Sequence, residues 1–239
     1  ANQRTGLLAK HSRRDACGPK ESAPLLTRTL YRTIRNALAV FLRYKALRLP
    51  EETRVKNFSI FEQALKFSGV EKTENLGEIA SLARRDFAER ESFICHTTTA
   101  SVEYACLLIE NAILLRTNRS GRVYAGVEKL SLLQPIIDRY MRIADVSEAV
   151  YLFGQDDWRP PRHPNIRLIT LNNDFRLARE WFVITHSPAL NCALVAFDET
   201  GTDDLPEQIR YWALKTSNPL VVRGLAHAVD GVIDWTLAA

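Results

Sequence analysis

The sequence lacks the short motifs that mark the commonest phosphate, metal and acyl-transfer sites. It contains no G-x-G-x-x-G, no G-x-x-x-x-G-K-[ST], no H-E-x-x-H and no G-x-S-x-G. Its four cysteines stand far apart, so they indicate neither a zinc site nor a disulfide framework: Cys17, Cys95, Cys106 and Cys192. The sequence therefore predicts a protein that is not an enzyme and has no metal site, and it identifies no cofactor.

Long apolar runs are absent as well. No run approaches the roughly 20 residues that a helix needs to cross a bilayer. The first residues show no continuous apolar stretch followed by a cleavage site. Together with the widely spaced thiols, these absences predict a cytoplasmic protein without a transmembrane segment.

Charge is distributed unevenly along the chain. The net charge is +4, but residues 1–56 contain thirteen Lys or Arg and four acids, which gives +9 there and −5 for the remainder. Residues 1–24 contain few large apolar side chains and a Gly-Pro break, so they are predicted to form a mobile basic tail. The sequence thus divides into a basic N-terminal part and a mildly acidic domain, which we place at residues 57–239.

Residues 25–56 form a separate segment, in which apolar residues recur at spacings of three and four until Pro50. This spacing predicts a basic amphipathic helix over 25–49, with Arg28, Arg32 and Arg35 on a stripe of their own. Such a helix packs on the domain or on a second copy, or it contacts an acidic protein, nucleic acid or an anionic membrane surface. A protein partner or a homodimer is favoured over nucleic acid, because the segment has few polar residues to read bases. The apolar stripe consists of Leu26, Leu30, Ile34, Ala37, Leu38 and Phe41.

Short β-branched and aromatic runs fill the second half of the chain. They are bounded by Gly, Pro, Asn or Asp, as buried strands are. A helix over about 132–144 joins the first two runs and favours a parallel pair, whereas Ser187-Pro188 predicts an antiparallel hairpin. We therefore predict a three-layer α/β sandwich with a mixed, mostly parallel central sheet of about five strands, plus an N-terminal helical extension. The runs are GRVYAGVEKL, EAVYLFG, NIRLITL, EWFVITHSP and NCALVAFDE.

Helices are predicted before and after these runs. Ser59 and Glu62 form a capping box at the start of a helix over 59–67. Apolar spacing predicts further helices over 75–90 and 98–116, and two more over 206–237.

Several of these pieces, in this order and spacing, resemble the DICT domain, a sensory module of diguanylate cyclases and two-component systems. The resemblance covers roughly residues 57–230. It implies a sensory or regulatory signalling protein that responds to a ligand or partner, and it leaves the ligand open. Because no cyclase, kinase or helix-turn-helix accompanies the domain, we expect it to act through another protein. The matching pieces are TTTASVEYACLLIEN (97–111), VYAGVEK (123–129), DRYMRIADVSEAVYLFG (138–154), LAREWFVI (177–184) and ALVAFDE (193–199).

Two other functions remain open from the residues alone. The chain is either a scaffold subunit that docks through its basic helix or a regulator that binds nucleic acid through it. Nucleic-acid binding is the less favoured of the two alternatives, because the segment has few polar residues to read bases.

A ligand site is expected beyond the carboxyl ends of the parallel strands, where open α/β sheets bind ligands. Glu180 opens a buried strand and must pair with a basic group or a backbone donor, or else face a cavity. Trp158, in the proline-rich loop 154–165, either closes over this site or marks a partner-binding patch. The predicted ligand-binding residues are Gly126, Glu128, Gly154, Gln155, Asn173 and Glu180.

Two cysteine–histidine pairs are candidates for nucleophilic chemistry. Cys95 and His96 are adjacent and therefore point to different faces of a strand or helix. Cys192 lies near His186 across the predicted hairpin, but no carboxylate is evident that would orient the histidine. Neither pair predicts an active site.

Overall fold

The computed structural model describes residues 51–69, 73–115, 120–172, 175–199 and 209–238. The chain divides into two units, residues 1–49 and 50–239, and all the described residues belong to the second. The predicted basic tail, the predicted helix over 25–49 and its three arginines Arg28, Arg32 and Arg35 therefore lie outside the described residues.

The described chain alternates helices and strands. The strands are β1 (Glu74–Ile79), β2 (Ser92–Thr98), β3 (Arg122–Lys129), β4 (Ala149–Gln155), β5 (Ile166–Thr170), β6 (Glu180–His186), β7 (Asn191–Asp198) and β8 (Ile209–Thr216). The α-helices are α1 (Glu51–Lys56), α2 (Ile60–Ser68), α3 (Arg84–Glu89), α4 (Thr99–Leu114), α5 (Ile137–Asp145) and α6 (Pro219–Ala238). Two 3-10 helices, Leu130–Ile136 and Arg176–Arg179, precede α5 and β6.

The strands form one eight-stranded sheet in the order β1-β2-β8-β7-β6-β3-β4-β5. Three neighbouring pairs are parallel, namely β1–β2, β3–β4 and β4–β5. The four pairings in the centre, β2–β8, β8–β7, β7–β6 and β6–β3, are antiparallel. The prediction of a mostly parallel sheet of about five strands is therefore wrong.

Two of the three strands that were not predicted, β1 and β8, lie in segments that were predicted as helices. Residues 75–90 contain the edge strand β1 and the short helix α3, and residues 206–237 contain the central strand β8 and the single helix α6. Strand β1 has few buried side chains, so it lacks the apolar alternation that marks a strand. Strand β8 mixes charged and apolar residues, and its antiparallel pairing with β2 and β7 depends on residues far away in sequence.

Other local predictions are confirmed. Strands β3 and β4 are parallel and joined through α5, and β6 and β7 form the antiparallel hairpin at Ser187-Pro188. Ser59 caps α2 and accepts a hydrogen bond from the amide of Glu62 at 3.0 Å.

Helices cover both faces of the sheet, and each face has its own buried cluster. Helices α4 and α5 cover alternate residues of the strands, including Val123, Leu152 and Leu194. Helices α2 and α6 cover the other set, which includes Tyr124 and Phe182. The alternation of strand side chains between two faces therefore builds two cores from one sheet.

Glu110 is a buried carboxylate on α4. It is 2% exposed and accepts hydrogen bonds from Arg139 and from the Tyr140 hydroxyl, both at 2.9 Å. These bonds tie α4 to α5 and compensate the burial of the charge.

The close contact between Gly126 of β3 and Phe182 of β6 can be tested by substitution. Gly126 pairs with Phe182, and a Cβ at Gly126 would lie 2.1 Å from the Phe182 ring, which is completely buried. We expect Gly126→Ala to lower the free energy of unfolding by about 1 to 3 kcal/mol through overpacking, measured by urea denaturation.

The matched control is Gly231→Ala in α6, where a Cβ would meet nothing within 4 Å. This variant should gain up to about 1 kcal/mol from helix propensity. Equal stabilities for the two variants would contradict the packing role of Gly126.

Candidate functional site

A pocket of about 400 Å³ opens at one edge of the sheet. Strands β3, β4 and β7 end at this edge, and the antiparallel strands β6 and β8 begin there. Strand ends therefore supply most of its wall. The lining residues are Glu128, Lys129, Leu132, Gln155, Ala178, Arg179, Glu180, Trp181, Asp198, Arg210 and Tyr211.

Three of the predicted ligand-binding residues come together in this pocket. Glu128 lies near the end of β3, Gln155 ends β4 and Glu180 begins β6. Their convergence follows from the shared edge of the parallel pair and the antiparallel neighbour.

The remaining predicted residues lie elsewhere. Gly126 and Gly154 are not among the lining residues. A Cβ on Gly154 would come within 3.1 Å of the Leu130 amide and of the Val127 carbonyl, so the chain itself makes the close approach there. Asn173 lies outside the described residues. Trp158 is partly buried and packs against the core under α4 and α5.

Charges of both signs line the pocket. The basic residues are Lys129, Arg179 and Arg210, and the acidic residues are Glu128, Glu180 and Asp198. Arg210 forms an ion pair with Asp198, and its guanidinium lies 5.0 Å from the centre of the Tyr211 ring. The wall therefore offers donors and acceptors at fixed positions.

Aromatic rings complete the wall. Trp181 and Tyr211 meet edge to face, with ring centres 6.3 Å apart. Arg179 lies 5.6 Å from the centre of the Phe197 ring and donates to the Asp198 carbonyl at 3.5 Å. The pocket thus combines a polar interior with a rigid apolar side, as small-molecule sites do.

Sequence reasoning missed Asp198, Arg210 and Tyr211 as pocket residues. Arg210 and Tyr211 belong to β8, which was predicted as helix, so the edge at which β8 begins was not anticipated. The alternation in RYWALKT, where buried Tyr211, Ala213 and Lys215 stand on one face, is the signal that would have indicated a strand.

Glu180 connects the pocket to helix α2. Its carboxylate accepts hydrogen bonds from the Ser59 hydroxyl and from the amides of Ile60 at 2.8 Å and Phe61 at 3.2 Å. These amides lie in the first turn of α2 and have no acceptor within the helix. A carboxylate at this position satisfies them and interacts favourably with the helix dipole.

Burial controls the ionisation of Glu180. The side chain is only 1% exposed. Burial raises its pKa from the ordinary 4.5 to about 7, although the bonds from Ser59, Phe61 and Ile60 and the charge of Arg176 act in the opposite direction. Arg176 itself pairs with Glu62 of α2 at 2.7 Å. Glu180 is thus a pocket residue that titrates near neutral pH.

The cysteine–histidine pairs do not form nucleophilic sites. Cys95 is buried under α4, whereas His96 is on the opposite face and stacks on Trp212 at 5.6 Å. His186 bonds through Nδ1 to Asn191 at 2.8 Å. Burial raises the pKa of Cys95 to about 12 and that of Cys192 to about 11, so both thiols are protonated at neutral pH.

Among the described residues, no three His, Cys, Asp or Glu side chains are grouped so that they could hold a metal ion. None of the helices within the described ranges is long and apolar enough to span a bilayer.

Comparison with known proteins identifies the central part of the chain. Residues 98–199 match the family model DICT, described as a sensory domain in diguanylate cyclases and two-component system. No curated protein matches the sequence significantly. The resemblance inferred from the sequence is confirmed over 98–199, a shorter range than expected, and it indicates a role in sensory signalling. The matched segment includes every lining residue of the pocket except Arg210 and Tyr211.

The raised pKa of Glu180 predicts a pH-dependent stability. The folded state holds the proton more tightly than the unfolded state, so this group makes folding less favourable as pH rises from about 4.5 to about 7. The loss is about 3 kcal/mol when the shift is converted at 1.36 kcal/mol per pKa unit.

Glu180→Gln resembles the protonated state and tests this linkage. We expect it to be more stable than the wild type at pH 8, and the difference in unfolding free energy to shrink toward pH 5. Urea denaturation of both proteins across this pH range measures the difference in unfolding free energy. The contributions of the other titrating groups cancel in this difference, because both proteins contain them. A difference that does not change with pH would contradict the raised pKa.

Proposed function

We propose that this chain is a non-catalytic, cytoplasmic sensory protein in which a small polar ligand occupies the pocket and helix α2 reports its presence. The observation that carries this proposal is the position of Glu180. Glu180 is a lining residue of the pocket, and its carboxylate caps the first turn of α2. A ligand that changes the charge or position of Glu180 would therefore act directly on the helix.

The pocket supports a small ligand with both donors and acceptors. A volume of about 400 Å³ is near the lower end of the range of about 300 to 1,000 Å³ that is usual for small-molecule sites. Arg179 and Lys129 offer positive groups, and Glu128 offers a negative group. The edges of Trp181 and Tyr211 are suited to a flat or apolar part of the ligand.

Helix α2 is placed to transmit the change. Ile60, Phe61 and Ala64 are buried in the same cluster as α6, and the Phe61 ring lies 5.1 Å from the ring of Trp212 on β8. Close packing of this kind shifts as a unit rather than deforming gradually. Loss of the charge at Glu180 would weaken the cap of α2, since an ionised carboxylate interacts more strongly with the helix start.

The output requires a second molecule, which we propose to be a protein partner or another copy of this chain. The basic residues 25–56 are the segment of the sequence suited to an acidic partner surface, with Arg28, Arg32 and Arg35 at helical spacing. Regulation through protein contact, without turnover of the ligand, is the function that we infer.

The proposed ligand site can be tested by looking for a small molecule that copurifies with the protein. We expect native mass spectrometry of the full chain, purified from its own cells, to show a small-molecule adduct. Arg179→Glu should lose the adduct, because it reverses an exposed charge in the pocket wall. Arg223→Glu, an exposed arginine on α6 outside this pocket, is the matched control and should retain it. If Arg179→Glu retained the same adduct, the cargo would bind outside this pocket and the proposal would be contradicted.

Hydrogen exchange tests the proposed transmission. In cargo-loaded protein, we expect the amides of Ile60 and Phe61 to change their exchange rate relative to stripped protein, because both bond to Glu180. Cargo-loaded Glu180→Gln should not show this change relative to the stripped variant. Identical exchange over 60–68 in loaded and stripped wild type would contradict a signal through α2.

A further inference from the structure

A second concave surface lies between α3 and α4, away from the pocket described above. It is a groove of about 820 Å³. Phe87 and Ala88 of α3 form one wall, and Tyr104, Leu108 and Leu115 of α4 belong to the other. Lys215 of β8 and Cys192 of β7 also line the groove, between the two helices.

The α4 wall is mostly apolar although it faces solvent, and Asn111 is its exposed polar member. Leu115 is 82% exposed and Tyr104 is 36% exposed, and Leu107 and Leu108 between them are partly buried. A helix that is apolar on its outer side as well as on its core side usually has something packed on it. The twelve residues from Tyr104 to Leu115 extend about 16 Å along the helix axis, which is long enough for an extended acyl chain.

The groove is also positively charged. Its charged lining residues are Arg84 and Lys215, and none of the described lining residues is Asp or Glu. This contrasts with the sequence after residue 56, which carries a net charge of −5. An apolar groove with only positive charges is complementary to an anionic amphiphile.

Lys215 is the most unusual of these residues, because it is a buried cation without a carboxylate partner. It is 2% exposed. Its ammonium donates to the carbonyls of Arg90 and, at 3.5 Å, Glu91, and to the Ser217 hydroxyl at 3.3 Å, all of them neutral acceptors. It also lies 5.2 Å from the centre of the Phe87 ring. No carboxylate within the described ranges lies at ion-pair distance from it. A buried charge is ordinarily compensated by an opposite charge.

We propose that this groove binds a long-chain carboxylate, with its carboxylate near Lys215 and Arg84 and its chain along the apolar side chains of α4. The ligand supplies the missing negative charge and covers the exposed leucines. A neutral chain of the same length would cover the leucines but leave Lys215 uncompensated. The site is separate from the polar pocket and does not depend on the function proposed for it.

Calorimetry with dodecanoate as the probe tests this proposal on the full chain. We expect saturable binding of dodecanoate at one site and binding of dodecanol that is weaker by about tenfold or more, because only the carboxylate forms a charge-assisted bond. Lys215→Met keeps the length of the side chain and removes its charge. This variant should bind dodecanoate more weakly than the wild type and so reduce the difference between the two probes, since Arg84 remains.

Leu115→Asp provides a second variant that does not depend on a buried residue. It places a negative charge in the exposed wall and should weaken dodecanoate binding by about tenfold or more. Leu237→Asp is the matched control, since Leu237 is also exposed, at 70%, and lies on α6 away from the groove. Its affinity for dodecanoate should equal that of the wild type.

Three outcomes would overturn the proposal. The first is non-saturable uptake of dodecanoate, and the second is equal binding by wild type and Leu115→Asp. The third is a wild-type dimer in light scattering that Leu115→Asp converts to a monomer, with no dodecanoate bound. That last result would assign the groove to a second copy of the chain.

Discussion

Strand β8 is the constraint on which the rest of the described fold depends. It lies between β2 and β7 and is antiparallel to both, so it joins the β1–β2 pair to the other five strands. Its first residues, Arg210 and Tyr211, line the polar pocket, and Lys215 near its end lines the groove. Because one strand contributes to both concave surfaces, its register positions them together. The strand lies outside the segment that matches the DICT family model, so the match alone gives an incomplete pocket.

The sequence predicted those parts of the fold whose signals are local. Strands β3, β4, β6 and β7 are rich in buried β-branched and aromatic residues. The N-terminal cap of α2 was predicted from the spacing of Ser59 and Glu62. Strand β8 was missed because its place in the sheet is set by partners more than a hundred residues earlier and by β7. The alternation of its buried and exposed side chains can be recognised in the sequence only if the charged Lys215 is counted as a buried residue.

The candidate site was predictable to a similar extent. Glu128 and Gln155 were found because strand ends in α/β sheets have known positions relative to ligands. The burial of Glu180 was also expected. The hydrogen bonds that compensate this burial were not expected, because one of their donors, the amide of Ile60, precedes Glu180 by 120 residues. A carboxylate capping a helix from another element leaves no local pattern in the sequence, because any helix start in contact with the strand can supply the donors.

Three buried charges show how differently this fold compensates them. Glu110 has an arginine and a tyrosine hydroxyl, and Glu180 has a hydroxyl and the two free amides of a helix start. Lys215 has only neutral acceptors. The first arrangement is a closed ion pair that fixes two helices. The second depends on ionisation near neutral pH and borders a pocket, so it can respond to a ligand. The third borders an apolar groove and has no carboxylate of the described residues at ion-pair distance, so a bound anion is the simplest way to complete it.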